Sequence, residues 1–415
     1  MRRIEPLAND FITVYESDIE HNEYAYTPGI CVTPSGRIIA TLDHTFKGLP
    51  EIEMREKRGM IFLSDDGKNF RFIQYFPAGH ARPFVAGDSL YILGQQGRLV
   101  ILRSDDWGET WSEPVFLTPE EENGRWHASA TSVWYEEDRV YMVMEHTVCE
   151  PGTPWPVACI APVLLRANIH DDLLKRESWT FASELRFRDH VEQNDMDNFG
   201  VPFYQVERGT KLMVAPGRGT TPPGWLEFNV VRIKDEKHYW NDPTGHTYHL
   251  LGRGHTGCTG YAALAKVVEK EDGTMETTFE HAPSGRRQVY LPMPGGQMRF
   301  HILYDEETKL YWLLSTQATD SMTRAELLPP DRYNIPNDER HRLQLHFSKN
   351  MVDWCFAGML WVGPTERHSA HYTCVDVDGD DLVFVSRTSN AQADSCHNNN
   401  TNTFHRVKNF RDLIY

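Results

Sequence analysis

The feature that most constrains this chain is Ser104-Asp105-Asp106-Trp107-Gly108-Glu109-Thr110-Trp111, a Ser-x-Asp-x-Gly-x-Thr-Trp turn between two strand-like segments. Val100-Ile101-Leu102 leads in and Pro114-Val115-Phe116-Leu117 leads out. Short Asp side chains accept bonds from nearby backbone N–H groups, glycine takes a conformation other residues resist, and the Trp is placed to cover the hairpin. Ser64-Asp65-Asp66-Gly67-Lys68-Asn69-Phe70 is a second copy with Phe in place of Trp, and Ser348-Lys349-Asn350-Met351-Val352-Asp353-Trp354 is a degenerate third. Three such turns at hairpin tips predict a repeated antiparallel unit.

Strand-like alternation fills the rest of the chain, and helical periodicity is rare. Gly29-Ile30-Cys31-Val32 and Arg37-Ile38-Ile39-Ala40-Thr41 flank one tight turn; Phe300-His301-Ile302-Leu303-Tyr304 and Leu310-Tyr311-Trp312-Leu313-Leu314 flank another. Modules start near residues 26, 80, 127, 199, 256, 298 and 368. Their spacing of ~40–60 residues is what a four-stranded blade requires. The turns resemble the Asp-box of sialidase-like β-propellers. The expected fold is therefore all-β, a single seven-bladed β-propeller over 1–415, with segment 8–16 completing the last blade. Six blades is the other count, because 256–297 is thin. Segment 169–177 reads as a short helix, and 147–158 and 324–341 read as loops on a propeller face.

The formal charge of −17 over 415 residues argues against nucleic acid and anionic membranes as partners, so an anionic substrate needs a local cluster of Arg and Lys. Eleven Trp and 17 Tyr suit a protein that faces carbohydrate, and equally suit blades packed with aromatics. No apolar run approaches the ~20 residues of a membrane span. Met1-Arg2-Arg3-Ile4-Glu5-Pro6 has charge without a following apolar segment, which reads as cytoplasmic, or as secreted or periplasmic if a signal has been removed. The seven cysteines read as reduced thiols, with Cys149 and Cys159 the one closely spaced pair able to bridge.

A propeller places its site around the central channel, using polar residues that interrupt the innermost strands. His127, His146, Tyr204, Arg218, His255, Tyr261, Arg299, His301, His371, Tyr372 and Arg387 fall near such positions. Any one alone is more often a satisfied structural residue; their concentration is the signal. Retaining sialidases use a Tyr nucleophile assisted by a carboxylate, an Asp acid/base and an Arg triad. Tyr372 sits where such a Tyr would, but Tyr26-Thr27-Pro28-Gly29 lacks the first arginine of that triad. Elimination across a uronate needs a neutralised carboxylate, a base and an acid, which Arg, His and Tyr can supply.

The order His127, His146, Tyr204, Arg218, Tyr261 resembles the active-site set of the propeller-fold ulvan lyases, which act between rhamnose and a uronate. That resemblance implies a lyase acting on a uronate-containing glycan. His127 and Tyr204 would be catalytic, Arg218 would neutralise the carboxylate, and His146 and Tyr261 would support the substrate. Arg299, Tyr372 and Arg387, from their inner-strand positions, are further substrate-binding candidates. A glycoside hydrolase and a non-catalytic glycan-binding propeller are the alternatives on the same scaffold. The resemblance also implies a structural zinc. His255-Thr256-Gly257-Cys258 and Cys396-His397 carry candidate ligands, grouped as His255 or Cys258 with His301 and His397. The run Asn398-Asn399-Asn400-Thr401-Asn402-Thr403 could hold a sugar or simply satisfy its own loop.

Overall fold

The computed structural model describes residues 5–21, 23–46, 51–127, 131–192 and 211–415. Among them six antiparallel sheets of four or five strands follow one another along the chain, beside two two-stranded ribbons, so the count is six blades and not seven. Blade 1 comprises Glu23–Val32, Ile38–Phe46, Gly59–Ser64 and Arg71–Phe76; blade 2 comprises Gly79–Ala86, Ser89–Gln95, Leu99–Ser104 and Val115–Phe116. Blade 3 has a split first strand, Arg125–Trp126 and Val133–Glu136, both paired with Arg139–Thr147, and continues with Ile160–Asn168 and Trp179–Phe181. Blade 4 runs Gly224–Val231, Thr247–His255, Tyr261–Glu269 and Met275–Thr278. Blade 5 runs His301–Asp305, Leu310–Thr316, Arg342–Ser348 and Cys355–Val362. Blade 6 takes Ser369–Asp378, Asp381–Ser389 and Thr401–Val407 from the end of the chain and Phe11–Glu16 from its start.

The surplus module expected at 256 is not a blade of its own. Tyr261–Glu269 pairs on one side with Thr247–His255 and on the other with Met275–Thr278, so it is the third strand of the blade begun at Gly224. Segment 169–177 forms turns leading into a short 3-10 turn at Arg176–Ser178. It is too short to repay helix nucleation. Asn168 and Asp172 side chains instead accept the N–H groups of His170 (2.9 Å) and Leu174 (3.3 Å).

All three Asp-box turns join the third and fourth strands of their blades, in blades 1, 2 and 5. In blade 2, Gly108 N–H donates to Ser104 Oγ at 2.8 Å, and Thr110 donates from N–H (2.9 Å) and from its hydroxyl (2.6 Å) to the Asp106 carboxylate. Trp111 closes the turn by donating from Nε1 to Gly108 O at 3.2 Å. The degenerate copy works the same way, with Asn350 Oδ1 accepting from Val352 (3.0 Å) and Asp353 (2.8 Å).

Apolar residues from facing sheets form the cores between blades, for example Phe84, Trp126, Met142 and Trp179 between blades 2 and 3. The inner strands of neighbouring blades meet around the axis, and blade 1 touches both blade 2 and blade 6. Crowding there is severe. A Cβ on Gly29 would fall 2.7 Å from Pro83 Cδ and against the Ala81 carbonyl of the next blade. Gly29→Ala is therefore expected to separate blades 1 and 2 and cost about 1–3 kcal/mol. A lowered urea midpoint with an unchanged m-value would check this.

Candidate active site at the entry face of the propeller

First strands begin, and second strands end, at the face opposite the Asp-box turns, called here the entry face. Four first strands slip register close to it: between Ala25 and Pro28, Gly79 and Arg82, Leu226 and Asn229, and His371 and Cys374. Tyr26, His80, Glu227 and Tyr372 lie inside these slips. His80, Glu227 and Tyr372 have φ of 51°, 63° and 53°, the left-handed region that non-glycine residues avoid. Such conformations cost about 1–3 kcal/mol each. A bulge lets an inner strand turn a side chain away from its regular alternation.

These side chains join a continuous polar network. At one edge, Asp43 accepts the His80 N–H at 2.6 Å, and His80 lies 5.5 Å from His127 between ring centroids. Burial pushes the Asp43 carboxyl up to about 6, against the attraction of Arg58. Burial also holds His80 well below the ordinary imidazole range, with His127 adding to the shift. His127 Nδ1 is 3.5 Å from Glu145 Oε2. Burial raises the Glu145 carboxyl, with His127 opposing and Glu227 reinforcing the shift.

Glu145 accepts the backbone N–H of Glu227, and Glu227 Oε2 lies 3.7 Å from Arg253 Nη1. Arg253 then donates from Nη1 to the Tyr372 hydroxyl at 3.1 Å and from Nε to Gln297 O at 2.8 Å. Asp338 sits 4.0 Å from Arg253 Nη2 and accepts from Arg340 Nη2 at 2.9 Å. Burial pushes the Tyr372 phenol up to about 12, Glu227 adding and Arg253 opposing. Arg299 donates to Tyr372 O at 3.3 Å, while Arg387 stands 5.1 Å from the Tyr372 ring and 4.1 Å from that of Tyr26. Arg58, Arg253, Arg299, Arg340 and Arg387 thus face Asp43, Glu145, Glu227 and Asp338. The balance at the axis is positive in a chain whose overall charge is −17. Chemically, the arrangement offers a buried acid at one edge, a phenol with a nearby carboxylate, and arginines able to grip an anion.

Of the residues singled out from sequence, Arg299, Tyr372, Arg387 and His127 come together here. Arg218 does not. Its guanidinium donates to the carbonyls of Pro329 (2.9 Å), Leu328 (3.3 Å) and Arg332 (3.3 Å), so it fastens a loop and is not placed to neutralise a substrate. His146 lies on the other side of its strand from Glu145, with Nδ1 2.6 Å from Glu184 and its ring 5.0 Å from that of Trp126. Tyr261 opens the third strand of blade 4, half-buried. Tyr204 lies outside the described residues.

The proposed zinc ligands do not converge. Cys258 Sγ meets Thr256 Oγ1 at 2.6 Å, His255 Nε2 meets Thr221 Oγ1 at 3.4 Å, and His397 stacks on Tyr333 with centroids 4.6 Å apart. His301 lines an axial cavity of about 220 Å³ toward the opposite face. Among the described residues one cluster has ligand spacing, Glu339, His341 and Glu366. Arg332 Nε already binds Glu366 at 2.8 Å, and Arg342 binds Glu339, so it is an ion-pair lock and a poor fit for a cation. The asparagine run is likewise committed, Asn399 Nδ2 donating to Ser369 Oγ at 2.7 Å and Asn402 Nδ2 to Tyr26 O at 3.2 Å. Cys149 and Cys159 form a disulfide, and the other five cysteines are free.

Sequence reading missed Asp43, His80, Glu145, Glu227, Arg253 and Arg340. The available signal was a charged residue inside an apolar strand, as in Trp225-Leu226-Glu227-Phe228 and Val143-Met144-Glu145.

No protein-family model matches the chain, and no curated protein matches it in sequence. Solved structures do. The intramolecular trans-sialidase from Ruminococcus gnavus superposes with a TM-score of 0.54 at 12% identity, covering 97% of this chain and 98% of that one. A protein of unknown function from Dyadobacter fermentans gives 0.53 at 12% identity, covering 98% and 100%. The GH93 alpha-L-arabinofuranosidase of Fusarium graminearum gives 0.50 at 8% identity, covering 97% and 98%. At these identities the likeness is one of architecture, and the fold is a sialidase-like β-propeller.

Proposed function

We propose that this chain is a carbohydrate-active enzyme, a glycoside hydrolase acting on a glycan whose reacting sugar carries a carboxylate. The observation that carries this reading is the Arg253 bridge, 3.1 Å from the Tyr372 hydroxyl and 3.7 Å from Glu227, within a ring of further arginines. A carboxylate-bearing sugar would meet Arg299, Arg340 and Arg387. Glu227 would draw the phenolic proton as Tyr372 attacks the anomeric carbon, and Asp43 would protonate the leaving oxygen. Water would then release the glycosyl-enzyme, with Asp43 returning as base. The arginine absent from Tyr26-Thr27-Pro28-Gly29 is offset by Arg387, which lies over the Tyr26 ring from blade 6. The trans-sialidase and arabinofuranosidase of like fold act on glycans by name, which agrees with this reading.

Elimination is the second reading, and the neutral His80 beside His127 favours it: an uncharged imidazole can take a proton from carbon while the arginines neutralise a uronate. Aryl glycosides of sialic, glucuronic and galacturonic acids, followed by aryl release, separate the two from uronate polymers followed by near-ultraviolet absorbance. Aryl release abolished in Tyr372→Phe, with a loss of about 10³-fold or more, supports the hydrolase. Growth of ultraviolet absorbance without aryl release supports the lyase, and neither signal on any acidic glycan sinks both.

Asp43 also links rate to pH. An acid held at about 6 is protonated below that pH, so turnover is expected to fall as pH rises through it. The same shift sets stability. The ordinary value is 3.8 and the folded value about 6, so the folded state holds its proton more tightly. Stability is then lost as pH rises from about 4 to 6 and stays reduced above. Asp43→Asn is expected to be inactive yet more stable than the parent at pH 8, by up to about 3 kcal/mol. Paired urea melts at pH 4 and pH 8 measure this, and a variant less stable at pH 8 would refute it.

A further inference from the structure

Resting on the acidic-glycoside reading, we infer that loop 149–159 forms a subsite for the sugar on the leaving side of the scissile bond, with Trp155 as its platform. The loop is built to hold a shape. The Cys149–Cys159 disulfide closes it, Thr153 donates from N–H (3.2 Å) and hydroxyl (2.8 Å) to Glu150 O, and Cys159 N–H donates to Pro156 O at 2.9 Å. Its inner end presses on blade 4, where a Cβ on Gly224 would lie 2.6 Å from Ala158 N. Yet Trp155 at its tip is 46% exposed and carries a left-handed φ of 31°. The indole is thus about half open to solvent at a strained position of a fastened loop, a face available to stack on a ligand.

Beside it lies a cavity of about 400 Å³, lined by Pro154, Trp155, Pro156, Arg188, Asp189 and Pro222. That size is within the range of small-molecule sites. An indole face flanked by prolines suits the C–H face of a pyranose, and Arg188 and Asp189 supply polar groups for hydroxyls. Position assigns the side of the bond. Trp155 meets His127 edge-on at 6.1 Å, His127 is 5.5 Å from His80, and His80 N–H donates to Asp43. The subsite therefore adjoins the edge where the proton is delivered to the leaving oxygen, whereas the arginines that hold the carboxylate group around Tyr372.

The test compares two substrates ending in the same acidic sugar: an aryl glycoside, which leaves no sugar behind, and an oligosaccharide. Trp155→Ala is expected to lower kcat/KM for the oligosaccharide about tenfold, mainly through KM, with the aryl glycoside changed less than about twofold. Trp155→Phe should restore most of the loss. Dithiothreitol, whose two thiols reduce Cys149–Cys159 to two thiols and become a cyclic disulfide, should act as Trp155→Ala does. Equal losses on both substrates, or none on the oligosaccharide, overturn the subsite. Should no acidic glycoside be turned over, the hydrolase reading fails and the subsite is judged alone, by calorimetric titration with lactose, maltose and cellobiose. Binding weakened by Trp155→Ala upholds it; no binding, or equal binding, overturns it.

Discussion

Arg253 is the hub on which the entry face depends. Its guanidinium is buried, and it reaches Glu227, Gln297, Asp338 and Tyr372, groups from widely separated parts of the chain. A buried cation is tolerable only when its donors are met. Removing one partner from such a set typically costs about 3–5 kcal/mol, because the remaining charge is left without compensation. The consequence is geometric. Blade 4, blade 6 and the segment between the second and third strands of blade 5 cannot shift independently while that guanidinium needs all of them. The phenol of Tyr372 is thereby fixed relative to Glu227.

The rest of the entry face carries strain in return. Four non-glycine residues in left-handed conformations (His80, Trp155, Glu227 and Tyr372), with acids held above their ordinary range by burial, are costs that a scaffold selected for stability alone would shed. They persist because the surrounding blades over-determine the inner strands. Apolar cores packed between neighbouring sheets leave the inner strands little freedom to relax. The arginine and carboxylate network gathers at the end where first strands begin, and Asp-box turns close the far end of blades 1, 2 and 5.

The architecture was legible in sequence where chemistry is local. Ser104, Asp106, Gly108 and Trp111 bond to one another within a few residues, so their spacing alone carries the turn. Blade count was less legible, since the apolar run of Tyr261–Glu269 reads as a strand without saying which, and only its pairing makes it a third. In the site, Tyr372, Arg299 and Arg387 stood out as polar residues breaking apolar strands. Asp43, Glu145 and Glu227 hid in the same pattern, because nothing in the sequence tells a carboxylate facing the axis from one facing solvent. Arg218 and the His and Cys set show the opposite error. Spacing along the chain suggested convergence, and the fold sent each to a different neighbour.

Closure of blade 6 has a kinetic consequence. Its outer strand Phe11–Glu16 is made before the other five blades, and its partner Thr401–Val407 after them. The bond from Ser17 to Asn400 spans 383 residues. At ribosomal speeds the early strand waits on the order of tens of seconds with its edge unsatisfied. During synthesis the molecule is an open arc, not a ring, and loop-closure entropy is met only when the final strand arrives. Tyr372, Arg387 and their neighbours in blade 6 assemble in that step, so the entry face has no competent form before Thr401–Val407 is made.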